Sequence, residues 1–169
     1  MALTKIADGG LPSGSILQVK QAQFLGNYNF NDSSYQDISN GGESLSVDIT
    51  PLATSSKILV KCILCASAAS NQRFGVRIVR DGSIIFTPTS IGNRTAAHVF
   101  GDGAGSNKPT MPSVIELLDT PSSTSQLTYK VQAFCESTST LFINSCETWS
   151  DDATKYGAVS TLTVMEVAG

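Results

Sequence analysis

A chain of 169 residues with 15% charged and 41% hydrophobic residues and a formal net charge of -3 has the size of one ordinary domain, large enough to bury a core without staples. Its near-neutral, Ser/Thr-rich composition offers no basic field to nucleic acid or anionic lipid. No apolar run approaches the roughly 18 residues that cross a bilayer, and residues 1–10 lack a signal-peptide core, which predicts a protein made in a cytoplasm and inserted in no membrane.

Residues 1–14 differ from the rest. The stretch Lys5-Ile6-Ala7-Asp8-Gly9-Gly10-Leu11-Pro12-Ser13-Gly14 is broken by glycines and a proline, which argues against a helix or long strand. Leu3, Ile6 and Leu11 give it apolar teeth with little to bury against in their own chain. It reads as an arm that docks on a partner, or else as a disordered leader.

From residue 15 to 169 the chain is a succession of short β runs separated by turn chemistry. Residues 15–24 form a first strand, 26–34 a polar loop, 35–38 a short strand, and Asn40-Gly41-Gly42 a turn. Residues 43–50 alternate, placing Leu45, Val47 and Ile49 on one face, and Pro51 closes them. Residues 57–68 are apolar on both faces and should be central. Residues 74–80 follow, and Asp81-Gly82 is a two-residue hairpin signal into residues 83–87, with a further partner at 94–100.

Residues 101–112 form the longest Gly- and Pro-marked loop, 113–118 a strand and 122–125 a polar turn. Residues 126–135 place Leu127, Tyr129, Val131 and Ala133 on one face, and a turn at 136–139 leads back into 140–144. A loop at 147–156 carries the only tryptophan, Trp149. The last run, Ser160-Thr161-Leu162-Thr163-Val164-Met165-Glu166-Val167, is rich in β-branched residues. It predicts an interior strand beside residues 15–24, with both ends of the domain together. No stretch has helical periodicity. Roughly ten strands in two packed antiparallel sheets bury this many half-apolar strands economically.

Chemistry-bearing residues are few. Cys62 and Cys65 form a C-x-x-C, but three residues apart on a strand they point to opposite faces and cannot share a metal or a local disulfide. They are expected as small core residues; Cys135 and Cys146 flank a hairpin and could approach one another, as free thiols or, as the alternative, a disulfide. His98 is the lone histidine, without a ligand cluster, so packing is expected of it. Asp151 and Asp152 diverge on extended backbone, while Asp102, Glu116 and Asp119 are dispersed, so no acid/base pair can be assembled and no enzyme is expected. No metal or cofactor is expected either. Arg73, Arg77, Arg80 and Arg94 read as solvated, with Arg77 and Arg80 on opposite faces. The Asn-x-Ser/Thr matches at Asn31 and Asn93 are short patterns expected by chance in such a composition.

The segments Gly14-Ser15-Ile16-Leu17-Gln18-Val19, Leu45-Ser46-Val47-Asp48-Ile49-Thr50-Pro51, Ser55-Ser56-Lys57-Ile58-Leu59-Val60, Leu127-Thr128-Tyr129-Lys130-Val131-Gln132 and the final strand together resemble the C-terminal head domains of fibre-like virion proteins of tailed bacteriophages. Lys5-Ile6-Ala7-Asp8-Gly9-Gly10 is similar to one unit of the repeats that form the stalks of such fibres, although only one unit is present.

The resemblance implies a jelly-roll-like β-sandwich head at residues 15–169, carried by a docking arm at 1–14. It also implies a homotrimer like a TNF or C1q head, displayed on a virion after synthesis in the host cytoplasm. The arm residues Leu3, Ile6 and Leu11 would then engage other virion proteins. The resemblance carries over no contact residue; on the reading of the residues themselves, the loops at 71–74, 101–109 and 149–156, with Asn71 and Arg73, Asn107 and Lys108, and Trp149 and Tyr156, are the candidates to face a host-surface glycan or protein. Phe24, Tyr28 and Phe30 are open between subunit contact and core. A capsid decoration protein, clamping head subunits with the same arm, is the alternative to a fibre or tail-associated adhesin.

Overall fold

Strand formation follows the β-branched and aliphatic runs. In the computed structural model, which describes residues 11–68, 72–89, 92–102, 111–136, 140–146 and 157–169, the strands in chain order begin with β1 Ile16–Phe24, β2 Tyr28–Phe30, β3 Gln36–Asp37, β4 Ser39–Asn40 and β5 Glu43–Ser44. They continue with β6 Ser46–Ile49, β7 Lys57–Ala68, β8 Arg73–Arg80, β9 Ser83–Ile84 and β10 Val99–Asp102, and end with β11 Met111–Asp119, β12 Leu127–Cys135, β13 Leu141–Ile143 and β14 Ser160–Val167. The chain is all-β among the described residues, and every pairing is antiparallel.

Two six-stranded sheets face one another. The first runs β1-β14-β7-β13-β2, with β11 along the other edge of β7; the second runs β10-β8-β12-β3, with β6 also on β12 and β9 on β8. β7 is central: Ile58, Val60, Cys62 and Leu64 bury its inner face completely, and strands pair along both of its edges. β14 covers its first half, β13 its end, and β11 runs along the opposite edge.

The core lies between the sheets. Ile58, Val60, Cys62 and Leu64 of β7 and Leu162 and Val164 of β14 meet Val76 and Ile78 of β8, Val47 and Ile49 of β6, and Tyr129 and Val131 of β12. Alternation fixes this register, because a one-residue slip would turn each set outward. Leu127, Tyr129, Val131 and Ala133 are all buried, as are Leu45, Val47 and Ile49. Cys62 belongs to the core and Cys65 to the opposite face of β7, and all four cysteines are thiols. Burial, with a smaller contribution from Cys65, pushes the Cys62 thiol up to about 12.

The final strand is interior, between β1 and β7, and the ends of the domain sit together. The Gly14 amide donates to the Ala168 carbonyl at 2.8 Å and the Ala168 amide to Ser15 at 2.9 Å. Glu166 is fully buried beneath this junction. Its carboxyl oxygens accept hydrogen bonds from Gln18 Nε2 at 2.6 Å, the Leu52 amide at 2.7 Å and Ser56 Oγ at 2.6 Å. Gln18 also donates to the Thr50 carbonyl at 2.8 Å, which ties the end of the first sheet to the end of β6 in the second.

Several expectations are corrected. Residues 26–34 are not wholly a loop, since Tyr28–Phe30 pairs with β13. Phe24 is in the core, the packing reading of that residue, and Tyr28 and Phe30 pack partly buried against the core. Residues 43–50 split into two strands where the Leu45 amide turns back to the Ile38 carbonyl. The loop expected at 101–112 is strand at both ends, with Pro112 tolerated because β11 is an edge strand.

Two of the arginines expected to be solvated are engaged. Arg77 lies over the Tyr35 ring at 3.8 Å. Arg80 pairs with Asp119, a residue almost completely buried. The two arginines do leave opposite faces of β8.

The sandwich has two distinct poles. Ile16, Val167, Lys57, Ile49, Leu127 and Arg80 share one end with both termini of the domain. At the other end, roughly 26 Å away along the eight residue steps of β12, stand Arg73, Asp102 and Cys135 of the second sheet, and Ala68, Met111 and Leu141 of the first. The outer face of the first sheet carries one further feature. Val19, Met165, Leu59 and Leu118 stand in a single row across β1, β14, β7 and β11; Ile63 and Val114 lie four residues away on the same face, beyond the paired Lys61 and Glu116. Val19, Val114 and Leu118 are 55%, 54% and 47% exposed.

Candidate functional site

A cleft of about 620 Å³ opens on the outer face of the second sheet, at the pole opposite the termini; Phe100, Phe134, Arg73, Glu136, Ser33, Pro88, Thr89, Arg94, Thr95 and Ala97 line it. Its floor starts from a glycine in a strand. Gly75 of β8 stands in register with Phe100 of β10 on one side and Phe134 of β12 on the other. A Cβ at Gly75 would overlap the Phe134 ring, so only glycine leaves room for that ring to cross the sheet. Gly101 makes the same allowance for the Phe74 ring. Phe134 is consequently 8% exposed, and Phe100, edge-on to it with centroids 6.3 Å apart, is 55% exposed.

The walls are pinned to this floor by polar contacts. The Tyr35 ring packs edge-on against Phe134 at 4.9 Å, and its hydroxyl donates to the Ala96 carbonyl at 2.6 Å. Burial pushes the Tyr35 hydroxyl up to about 12 against the opposing pull of Arg77, so it remains a donor through the neutral range. Arg77, held by Gln132 at 2.8 Å, covers the far side of the Tyr35 ring.

His98 pins the second wall. Its amide donates to Val76 at 2.9 Å, its Nδ1 accepts from the Ile78 amide at 3.0 Å, and its Nε2 lies 3.0 Å from the Phe86 carbonyl. With Nδ1 accepting, the ring proton must sit on Nε2 and donate to Phe86. Burial lowers the His98 pKa below its ordinary value; the Phe86 bond opposes this and Arg77 reinforces it. The packing role expected for this histidine is thus a specific brace.

The arrangement offers a flat aromatic surface bordered by guanidinium, carboxylate and hydroxyl groups. Arg73 Nε is 3.8 Å from Asp102 Oδ1, with both side chains largely exposed. The other dispersed carboxylates are committed elsewhere: Glu116 lies 3.7 Å from Lys61, and Asp119 is bound by Arg80 and Tyr129. Among the described residues, no group of three His, Cys, Asp or Glu side chains stands where it could hold a metal ion.

Of the loop residues expected to face a receptor, Arg73 lines the cleft. Asn71, Asn107, Lys108, Trp149 and Tyr156 lie outside the described residues, as do Leu3 and Ile6 of the arm and the pair Asp151 and Asp152. Leu11 is exposed at the opposite pole, where it precedes the Gly14 to Ala168 junction. Sequence reasoning missed Phe100, Phe134, Glu136, Ser33, Thr89 and Thr95. The available signal was the repeated Phe-Gly pair, Phe74-Gly75 and Phe100-Gly101, since a glycine inside a strand marks a close approach.

No family model and no curated protein matches the sequence. Among solved structures the chain is similar to the subviral particle of infectious bursal disease virus VP2, with 11% identity, a TM-score of 0.40, and coverage of 91% of this chain and 42% of that one. It therefore spans less than half the length of that chain.

Proposed function

We propose that the protein is a non-enzymatic structural component of a bacteriophage virion, a short fibre or tail-associated head domain held by its N-terminal arm and displaying its far pole for attachment to a host surface. The observation that carries this reading is the polarity of the sandwich. The arm joins at the pole where Gly14 meets Ala168, and the aromatic cleft opens at the other. The described residues flanking 69–71, 103–110 and 137–139 also stand at the far pole, so three connections start and finish at the same pole as the cleft. Resemblance of the sequence segments to phage fibre heads supports the same role.

Assembly as a homotrimer fits this reading. Single exposed aliphatic side chains are ordinary, but the row Val19-Met165-Leu59-Leu118 is an unbroken apolar line across four strands, with Val114 and Ile63 beyond the Lys61–Glu116 pair, of the kind that a neighbouring subunit covers. Threefold symmetry would gather three arms at one pole and three clefts at the other, and weak contacts would then act together.

The same strip supports a second reading, in which it clamps capsid subunits and the protein decorates the head. Gold-labelled antibody on intact particles, viewed by electron microscopy, separates the two. Label at the tail tip or fibres supports attachment, label spread over the capsid supports decoration, and particles without label sink both.

A further inference from the structure

We propose that the Phe100–Phe134 cleft is a saccharide-binding site for a neutral pyranose, with the exposed Phe100 ring as its stacking platform and Arg73, Glu136 and the hydroxyls of Ser33, Thr89 and Thr95 as its hydrogen-bonding rim. A pyranose has an apolar face of C–H groups and an equatorial belt of hydroxyls that both donate and accept. The cleft has the matching pair of surfaces. Phe100 presents a ring that is 55% exposed yet held edge-on against Phe134, so stacking on it costs little side-chain ordering.

The rim supplies donors and acceptors together. Arg73 brings guanidinium donors, Glu136 a carboxyl acceptor, and the hydroxyls either. This mixture suits vicinal hydroxyls. It does not select an anion, because the two lining arginines, Arg73 and Arg94, are matched in charge by Glu136 on the rim and by Asp102, which Arg73 faces. Its exposed surface is mainly apolar, yet six of the ten lining residues bear polar groups that a wholly apolar ligand would leave unpaired.

The walls are braced before any ligand arrives, by Tyr35 on Ala96 and by His98 on Phe86. The glycine at position 75 is the third brace, because it admits the Phe134 ring that backs the platform. A preformed site of this kind loses little on binding. The cleft deepens the attachment role proposed above and depends on it for biological meaning. Binding itself is read on the isolated protein, so a negative result would leave the location on the particle untouched.

The test is saturation-transfer NMR of the full chain with the methyl glycosides of glucose, galactose, N-acetylglucosamine and glucuronic acid at millimolar concentration. Expected is transfer to the ring C–H protons of at least one neutral glycoside, weakened about tenfold in affinity in Phe100→Ala. Phe100→Leu should lose it as well, because apolar bulk without a flat face cannot stack. Phe100→Trp should retain or strengthen it. Each variant is first matched to the parent in thermal midpoint, and since position 100 is exposed no large shift is expected. No transfer to any neutral glycoside, transfer to the glucuronide alone, or transfer unchanged in both Phe100→Ala and Phe100→Leu would each overturn the proposal.

Discussion

The Tyr129 hydroxyl donates a hydrogen bond of 2.6 Å to Asp119 Oδ2 in the buried interior, which joins β12 of one sheet to the end of β11 in the other. Arg80 binds the same oxygen from β8. Burial, then the bond and charge of Asp119, raises the Tyr129 hydroxyl well above the ordinary phenol range, so it stays a donor. Tyr129→Phe keeps the ring in the core and removes only this bond, and should cost about 1–3 kcal/mol. Asp119→Ala should cost more, because it also strips Arg80 of its partner. Urea unfolding midpoints measure both, and equal stability of Tyr129→Phe and the parent would show that the tie contributes nothing.

Glu166 should be the most sensitive polar position of the chain. Glu166→Ala leaves Gln18, the Leu52 amide and Ser56 without their shared acceptor and is expected to destabilise by about 2–5 kcal/mol. Glu166→Gln preserves the shape but turns one oxygen into a donor facing donors, and should fall between parent and alanine. Amide hydrogen exchange localises the effect. Protection should be lost first along β1 and β14, and a loss confined to the second sheet would contradict the assignment.

The pH dependence follows from His98. Its folded-state pKa lies below its ordinary value, so between the two the unfolded chain binds the proton and the folded one does not. This contribution is fully present above the unfolded value of about 6.5 and is lost as pH falls through the folded value. Protonation would put a second donor on Nδ1 against the Ile78 amide and beside Arg77. The parent should therefore lose stability on acidification from neutral pH with a steeper slope than His98→Gln in that window; superimposable slopes would remove His98 as the cause.

Gly75→Ala should disturb the cleft from beneath. The new Cβ overlaps the Phe134 ring and crowds the Phe100 ring, so Phe134 must swing off the strand or lift it. A cost of about 1–3 kcal/mol is expected from overpacking. The paired Gly75→Ala, Phe134→Leu chain should recover part of it, since the smaller side chain vacates the space. If the double variant is no more stable than the single one, the ring is not what the glycine accommodates.

The apolar strip of the first sheet gives a prediction in solution. Leu118→Asp and Val114→Asp place charges on an exposed face without entering the core. By light scattering the parent should show the mass of three chains at micromolar concentration, and both variants should move toward one. A parent already at the mass of one chain would remove the trimer.

Legibility of this chain followed alternation. Leu127, Tyr129, Val131 and Ala133 declare a buried face by their spacing, and the two-faced apolar run from Lys57 declares a central strand, so the sandwich, its interior strands and the adjacency of its ends were readable. Tyr28–Phe30 was not readable as a strand, because three residues amid Asn and Gly carry no period and form a strand only by completing β13. Asp119 with Arg80 and Glu166 with Ser56 were invisible for a different reason. Each pair joins groups 39 and 110 residues apart, and polarity alone looks like exposure. The cleft escaped because it is assembled from β8, β10 and β12 with irregular segments, and only the two Phe-Gly pairs hint at it.

The juncture of Gly14 with Ala168 also decides how the fold bears mechanical load. β1 leaves this pole and runs toward the other, paired with β14 at eight positions from Ile16 to Phe24. A pull between the arm and a ligand at the far pole acts along the strand axis, so it shears those hydrogen bonds together instead of opening them one after another. Such forced opening is governed by the unfolding rate rather than by equilibrium stability. If the proposed attachment holds, the interior place of β14 and the buried Glu166 beneath it would act as brakes against tension at this end of the fold.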